Sequence, residues 1–438
     1  MATILYKKYC ECAYRVTTDT RALTGGEIFF ALRGENFDGN KFAAQALEKG
    51  AALAVVNDDA ELPDDPRFFR VPDPFTALKE LAIEHRQNLK IPVIGLTGTN
   101  GKTTTKELIT AVLAAKYRVT STKGNLNNDI GVPLSILTIT PETEIAVIEM
   151  GANHPDDIAK LVKVSQPDCG LITNVGKAHL LGFGSFEGVK AAKGELYKWI
   201  AAREGGFIFL NKDDSDLCGM AEGKSFGVYG YGMKFQGARV IPANADEPFL
   251  RLQLDETEVR TQLVGAYNAT NVLAAIAVGE HFGVSREAAI EAIAAYEPTN
   301  KRSQMVKTQK NTLIVDAYNA NPSSMLAALD NFSAVEAPVK LALLGDMREL
   351  GEDSVKEHVK IVWKLCCENI DAYLVGEEFG KALEQLGIDP CSGATPVCGC
   401  FHDSEELATF LKDNPVSGAV VLVKGSRGIQ MEKTLPEL

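Results

Sequence analysis

No apolar run in this 438-residue chain approaches the roughly 18 residues that a membrane-spanning helix needs. The opening MATILYKKYC lacks the sustained apolar stretch of a secretory leader. A basic surplus is missing too. Against 45 Lys and Arg stand 58 Asp and Glu, a formal charge of −13, so there is no global footprint for nucleic acid. Cysteines number nine, an odd count in a long chain, which argues against a disulfide framework. The pairs Cys10/Cys12, Cys366/Cys367 and Cys398/Cys400 do not have the C-x-x-C spacing of zinc or thioredoxin chemistry, and read as buried or incidental thiols. Short-period repeats and low-complexity segments are also absent. What remains is ordinary core-forming composition, 45% hydrophobic and 24% charged, as expected of a cytoplasmic protein. At roughly 150 residues per domain, the length points to about three domains.

The texture changes along the chain. A turn-rich stretch, TTDTRALTGGEIFFALRGENFDGNKF, precedes a helix-like FAAQALEKG and a buried-strand run, AALAVV. Pro92 after EHRQNLKI marks a first boundary near residue 90. From Val93 the apolar runs IPVIGL, EIAVIEM, CGLITNV and GFIFL alternate with helical periodicity, which predicts a mostly parallel sheet with crossover helices. Between about Ser225 and Val264 the sequence turns Gly-rich and alternating, and antiparallel strands are expected there. After a second boundary near Pro298, TLIVDAYN, KLALLGD, DAYLVGE and AVVLVKGS repeat the α/β alternation. The expected domains are therefore 1–90, 91–298 and 299–438. In such sheets ligands sit at the carboxyl ends of the strands.

The strongest chemical signal is IPVIGLTGTNGKTTTKELI, an apolar strand running through Gly98, Thr99, Asn100 and Gly101 into a helix that begins around Thr103. Backbone N–H groups of such a loop surround phosphate oxygens. Lys102 adds a point charge, and the Thr103 hydroxyl can reach Mg²⁺, with Thr104 beside it. The usual Gly-x-x-x-x-Gly-Lys-[Ser/Thr] pattern would place Gly where Leu96 stands; Gly98 makes the early turn instead. A phosphate-bound metal needs an acid, and Glu149 closes the strand EIAVIEM at the same sheet edge. A strand-terminal Glu also serves as a turn residue, but beside a phosphate loop the metal role is favoured. His179, in NVGKAHLLGFGS, is by itself a structural or solvated imidazole as readily as a metal or phosphate partner.

TGTNGKTTT, GNLNNDIGVP, VIEMGAN, NVGKAHLLGFGS and AAKGEL, in that order, resemble the Mur ligase superfamily, whose phosphate loop also has its early Gly displaced. TDTRALTGGEIFFALRGENFDG, DAYNANPSSM, GDMRELG and KGSRG are most similar to the branch that joins D-alanyl-D-alanine to UDP-N-acetylmuramoyl-tripeptide. The match runs from about Thr17 to Gly428. It implies an α/β protein of three domains: a UDP-sugar domain, a central ATPase with a mostly parallel sheet and a C-terminal Rossmann-like domain. The implied reaction is ATP-dependent and ADP-forming, proceeds through an acyl phosphate, uses Mg²⁺ (two ions) and serves peptidoglycan synthesis. A monomer is implied, with no nucleic acid or membrane partner. Other amide ligases of the superfamily, or a P-loop switch or assembly ATPase, are the alternatives; the DAYNANPSSM and GDMRELG blocks argue against the former.

The resemblance also implies roles for particular residues. Lys102, Glu149, His179 and Lys193 would be catalytic, with Thr103 and Glu149 on one Mg²⁺ and His179 and Lys193 at the second. Lys193 matches a lysine that several relatives carbamylate, and both its free and its carbamylated form stay open. Asn268, Asn271, Arg302 and Asp316 would join the phosphate loop in holding ATP. Tyr267 stands where many relatives have His, and Lys301 where many have Gly. For the substrates the candidates are Thr20, Arg21 and the loop RGENFDG; Asn127, Asn128 and Asp129; Tyr318, Asn319 and Asn321; and Lys424, Ser426 and Arg427. Arg21 as a plain surface residue, DAYNAN as an Asx-rich turn and KGSRG as a basic turn are the plainer readings.

Overall fold

Strands written as unbroken apolar runs are buried on both faces, and in the computed structural model, which describes residues 3–243, 247–299, 302–390 and 392–438, they pair in parallel. The amino-terminal sheet has the order Val16–Thr17, Ile28–Phe30, Leu53–Asn57, Phe68–Val71. The central sheet runs Gly227–Tyr231, Phe207–Asn211, Cys169–Ile172, Val93–Thr97, Ile145–Glu149, Val119–Ser121, all parallel. The last sheet runs Gln304–Lys307, Thr312–Asp316, Val420–Lys424, Lys340–Gly345, Asp371–Val375, Val397–Phe401, and only its first pair is antiparallel.

The Gly-rich stretch after Ser225 is a mixture. Arg239–Ile241, Arg251–Leu254 and Thr257–Arg260 form the expected antiparallel sheet. Gly227–Tyr231, however, is the parallel edge strand of the central sheet. Most of that strand is exposed or half-buried, so its composition imitates a solvated antiparallel strand.

From Val93–Thr97 the chain crosses to Val119–Ser121 on one side, whereas from Cys169–Ile172 it continues to Phe207–Asn211 on the other. The two neighbouring strands thus diverge, and the crevice beyond their carboxyl ends is where such a sheet receives a ligand. The phosphate loop opens there.

One face of the central sheet packs on the helices Lys102–Ala114 and Ala269–His281. The other face shares a core with the amino-terminal region: Leu5, Tyr9, Leu78, Leu81 and Ala82 lie in one buried cluster with Val132, Ile136, Ile148 and Ile158. The helix Pro74–Asn88 starts at Asp73, whose carboxylate accepts from Phe75 and Thr76 N–H. Its far end is fastened by Arg86, which donates to the carbonyls of Ser165 and Gln166 and pairs with Asp168 at 2.7 Å. Tyr9 Oη donates to the Leu137 carbonyl at 2.9 Å, and His85 Nε2 to that of Ile139 at 2.8 Å. All eight described cysteines are free; Cys391 lies outside the described residues. Among the described residues no helix is long and apolar enough to cross a membrane.

Burial lowers the His85 pKa from 6.5, only partly opposed by its bond to Ile139. The folded chain therefore favours the neutral imidazole, while the unfolded chain takes up a proton near pH 6.5. This stabilisation is fully present above pH 6.5 and is lost as pH falls toward the lowered folded value. In urea titrations the stability advantage of wild type over His85→Gln should shrink between pH 7.5 and 5.5; a pH-independent gap would refute this.

Candidate active site

Gly98 and Gly101 hold φ of 149° and 75°, conformations that side chains resist, and they fold the loop between Val93–Thr97 and the helix Lys102–Ala114. Space is tight as well: a Cβ on Gly101 would lie 2.8 Å from Asn271 Oδ1, and one on Gly98 would collide with the Thr173 hydroxyl. The neighbouring strand end pins the loop. Thr99 N–H donates to the Asn174 carbonyl and Asn100 N–H to Asn174 Oδ1, both at 3.0 Å. Thr173 Oγ1 and Asn174 Nδ2 return bonds to the Asn100 carbonyl at 2.6 and 3.0 Å. Lys102 Nζ curls back to the carbonyls of Gly98 and Thr99 at 2.9 and 3.0 Å. Burial lowers its pKa, and Glu149 partly restores it. The loop is a braced cradle carrying one half-buried cation, the electrostatic frame for an oligophosphate.

Beside it, Thr103 Oγ1 lies 3.0 and 3.2 Å from the two Glu149 carboxylate oxygens. Asn127 Nδ2 donates to Glu149 Oε1 at 2.8 Å. Glu149 is 1% exposed, and among the described residues it has no Lys, Arg or His at ion-pair distance. A buried carboxylate served by a hydroxyl and an amide suits a hard cation with oxygen ligands. No group of three or more His, Cys, Asp or Glu side chains that could hold a metal occurs among the described residues.

His179, with φ 51°, starts the short helix Leu180–Phe183. Its Nδ1 contacts Glu349 Oε2 in the carboxy-terminal part of the chain. Burial lowers the imidazole pKa; Glu349 opposes this, while Lys102 and Lys193 add to it. Lys193 ends the helix Phe186–Lys193 and is 2% exposed, with the Phe183 ring 5.8 Å from its Nζ. Burial, then Lys102, brings its amine well below the ordinary lysine range. Lys102, His179 and Lys193 thus share one electrostatic neighbourhood.

From the last sheet, Asn321 Nδ2 donates to Asn100 Oδ1 at 2.7 Å while its own Oδ1 caps the helix Pro322–Ser333. The Arg302 guanidinium lies 3.8 Å from the centre of the Tyr318 ring and acts on Lys102, and its buried Nε has no hydrogen-bond partner. Lys301 lies outside the described residues. Arg427 lies 5.6 Å from the same Tyr318 ring and 3.4 Å from Glu432.

Other expected residues are occupied elsewhere. Lys424, 1% exposed, pairs with Asp316 at 2.5 Å and donates to the Asn319 carbonyl. Asn319 Oδ1 accepts from Ala320 N–H. Ser426 Oγ donates to the Ala320 carbonyl and accepts from Arg348 N–H, tying strand ends together. Asn268 Nδ2 donates to the Val264 carbonyl and Ser303 Oγ, and Asn271 Nδ2 to Asn268 Oδ1; Tyr267 Oη lies 2.9 Å from Ser303 Oγ. Thr104 is buried in the first helical turn.

On the amino-terminal side, Arg21 has an 87% exposed side chain paired with Asp19, and the Thr20 carbonyl accepts from Lys49. Asn128 Oδ1 accepts from Gly131 N–H at the start of a helix. A cleft of about 390 Å³ lies between these parts, lined in part by Arg33, Phe75, Asn127, Asp129 and Asn153. It runs from the RGENFDG loop to the Asn127 amide that touches Glu149.

Sequence reasoning missed Thr173, Asn174, Thr122 and Glu349. Thr173 and Asn174 directly follow the strand Cys169–Ile172, so their place at a carboxyl edge was an available signal. Thr122 follows Val119–Ser121 in the same way, and its Oγ1 accepts from Glu149 N–H. Glu349 lies within the GDMRELG block, but its pairing with His179, 170 residues away, had no local signal.

Three family descriptions match the chain: "Mur ligase family, catalytic domain" over residues 13–97, "Mur ligase middle domain" over 96–279, and "Mur ligase, glutamate ligase domain" over 301–427. The UDP-N-acetylmuramoyl-tripeptide–D-alanyl-D-alanine ligase of Bacillus subtilis is 35% identical over 97% of this chain and 92% of its own length. Among solved structures, MurF from Acinetobacter baumannii superposes with a TM-score of 0.82 at 29% identity, covering 99% of this chain and 98% of that one. MurF ligase from Thermotoga maritima in complex with ADP gives 0.81 at 27% identity, covering 97% of each chain.

The crowding around Gly98 makes a direct prediction. Gly98→Ala must strain the loop or displace Thr173, at a cost of about 1–3 kcal/mol. ADP affinity measured by calorimetry should fall roughly tenfold or more, while circular dichroism stays unchanged; wild-type affinity would refute the cradle.

Proposed function

Since the chain belongs to the Mur ligase family, we infer that it joins D-alanyl-D-alanine to UDP-N-acetylmuramoyl-tripeptide in an ATP-dependent, ADP-forming reaction of peptidoglycan synthesis. The observation that carries the site assignment is the buried Thr103–Glu149 pair next to Lys102, at the end of the cleft that reaches the amino-terminal region.

Two anions must meet for this reaction. The tripeptide carboxylate attacks the γ-phosphorus, and the bond from phosphorus to the β-bridging oxygen breaks, releasing ADP. The dipeptide amine then attacks the acyl carbon, phosphate departs, and the amine loses a proton as the amide forms. A carboxylate approaches a phosphate only where their charge is neutralised and both are held in place.

The loop amides and Lys102 orient the β- and γ-phosphates. Arg302, with an unpaired Nε in hand, adds a cation from the far side of the crevice. Asn271 backs Gly101, and Asn268 holds Asn271 in turn. Thr103 and Glu149 would hold one Mg²⁺, and His179, with Lys193 in its carbamylated form, would hold a second. Such ions would supply Lewis-acid charge neutralisation on the phosphoryl oxygens.

The lowered Lys193 pKa bears on its chemistry. A neutral amine reacts with carbon dioxide to form a carbamate, losing a proton and becoming an anion, and this side chain is biased toward the neutral form. As a carbamate it would be an oxygen donor, which an ammonium cannot be. Asn127, Asn128 and Asp129 line the path of the muramoyl peptide, and Thr20, Arg21 and the RGENFDG loop receive the UDP-sugar. Tyr318, Asn319, Asn321 and Arg427 face nucleotide or dipeptide from the last domain, while Asp316 approaches the ribose and Lys424 and Ser426 support that edge. The labour divides over residues 1–90, 91–298 and 299–438. One chain supplies every group named, so a monomer suffices, and the soluble nucleotide substrates set the reaction in the cytoplasm.

Two outcomes follow. ADP release by the purified protein, followed with a coupled enzyme assay, should require UDP-N-acetylmuramoyl-tripeptide and D-alanyl-D-alanine together; brisk ATP turnover without them would sink the ligase reading. Lys102→Ala should remain folded by circular dichroism yet lose acyl-phosphate formation by several orders of magnitude. Wild-type turnover in that variant would overturn the phosphate assignment.

A further inference from the structure

The GDMRELG block carries a side chain for which the reaction as described has no use. Glu349 reaches from the carboxy-terminal part of the chain to the central sheet, where its carboxylate contacts His179 Nδ1. Its carbonyl accepts from Leu181 N–H at 3.4 Å, two residues along from His179. Lys177 Nζ lies 3.6 Å from the Glu357 carboxylate, a second link between the same two segments.

Both partners are backbone exceptions. His179 and Glu349 hold φ of 51° and 65°, left-handed values that are uncommon for non-glycine residues.

The contact contributes little to stability, since the Glu349 side chain is 54% exposed and surface ion pairs are worth little. It does set the chemistry of the ring. A carboxylate oxygen only accepts, so Nδ1 carries the hydrogen and Nε2 keeps the free lone pair. Imidazoles that serve as ligands are commonly held in this way by a carboxylate behind them.

We propose that Glu349 is a positioning residue that fixes the tautomer and heading of His179 from the carboxy-terminal domain, so that Nε2 is presented to the phosphate site only when that domain is seated. The proposal rests on the ligand role given to His179 above. It makes the GDMRELG block a sensor of domain seating. Phosphoryl transfer then waits on the arrival of the domain that also brings Arg302 and Asn321.

The test uses the full-length chain labelled with ¹⁵N-histidine, in which the His179 resonances are assigned by loss in His179→Gln. Wild type should show His179 protonated on Nδ1. Glu349→Gln, whose amide oxygen still accepts from Nδ1, should keep that signature; Glu349→Ala should lose it for a mixed or Nε2-protonated ring. In the ADP-release assay, Glu349→Ala should lower kcat roughly 10–100-fold, the range seen when the carboxylate behind a ligating histidine is removed. Glu349→Gln should recover much of that loss, and KM for the dipeptide should stay near wild type in both. An unchanged tautomer in Glu349→Ala, kcat within twofold of wild type, or an effect confined to KM would each overturn the proposal. Failure of wild type to require both substrates would instead overturn the ligase reading, and the ring spectra would still judge Glu349 by themselves.

Discussion

A carboxylate removed from water without a cation of its own is a costly group, and Glu149 is such a group at the centre of this molecule. The hydroxyl of Thr103 and the amide of Asn127 soften that cost without cancelling its charge. Much of the surrounding architecture makes sense as support for this arrangement. The parallel sheet brings Glu149 to the same edge as Thr97, the glycines let the loop pass close by, and Thr173 and Asn174 hold the loop through the Asn100 carbonyl.

What could be read from the sequence follows from how local each signal is. The strand–loop–helix of Val93–Ala114 is written in consecutive residues, and so is the apolar alternation that makes the two large sheets parallel. Glu149 could be placed because a strand end is a local feature and the sheet carries it to the loop. Arg21 could not be placed with the same security: its nearest partner, Asp19, is two residues away and satisfies it at the surface. Gly227–Tyr231 misled because exposure at a sheet edge copies the alternation of an antiparallel strand. The bonds from Asn100 to Asn321 and from His179 to Glu349 join residues 221 and 170 positions apart, and no period or spacing in a single sequence encodes such pairings.

The chain's net charge of −13 works against the long-range capture of anionic substrates, so attraction must be local. Some cations are tied into ion pairs away from the loop, Lys424 with Asp316 and Arg86 and Arg203 with Asp168. Around the loop, Arg302 acts on Lys102 and Lys102 on Lys193. Like charge at close range is unfavourable in the free protein and is relieved by an anion, so an acidic total and a locally basic loop are compatible.

The shared core beneath the central sheet bears on how such a protein could be recombined. Tyr9 and the helix Pro74–Asn88 belong by sequence to the amino-terminal third, yet their apolar faces and their bonds to Leu137, Ile139, Ser165 and Gln166 make them part of the central body. A graft that exchanged everything before Val93 would tear that body open along a buried seam. The sheet between Val16 and Val71 carries the helix Ala43–Glu48 on its far side, while Ile28, Phe30, Leu53 and Val55 on its near side enter the shared core, so any exchange must keep that near face. The segment is thus mounted as an insert between two structural struts, its outward face open to change while its inward face and the struts stay bound to the central body.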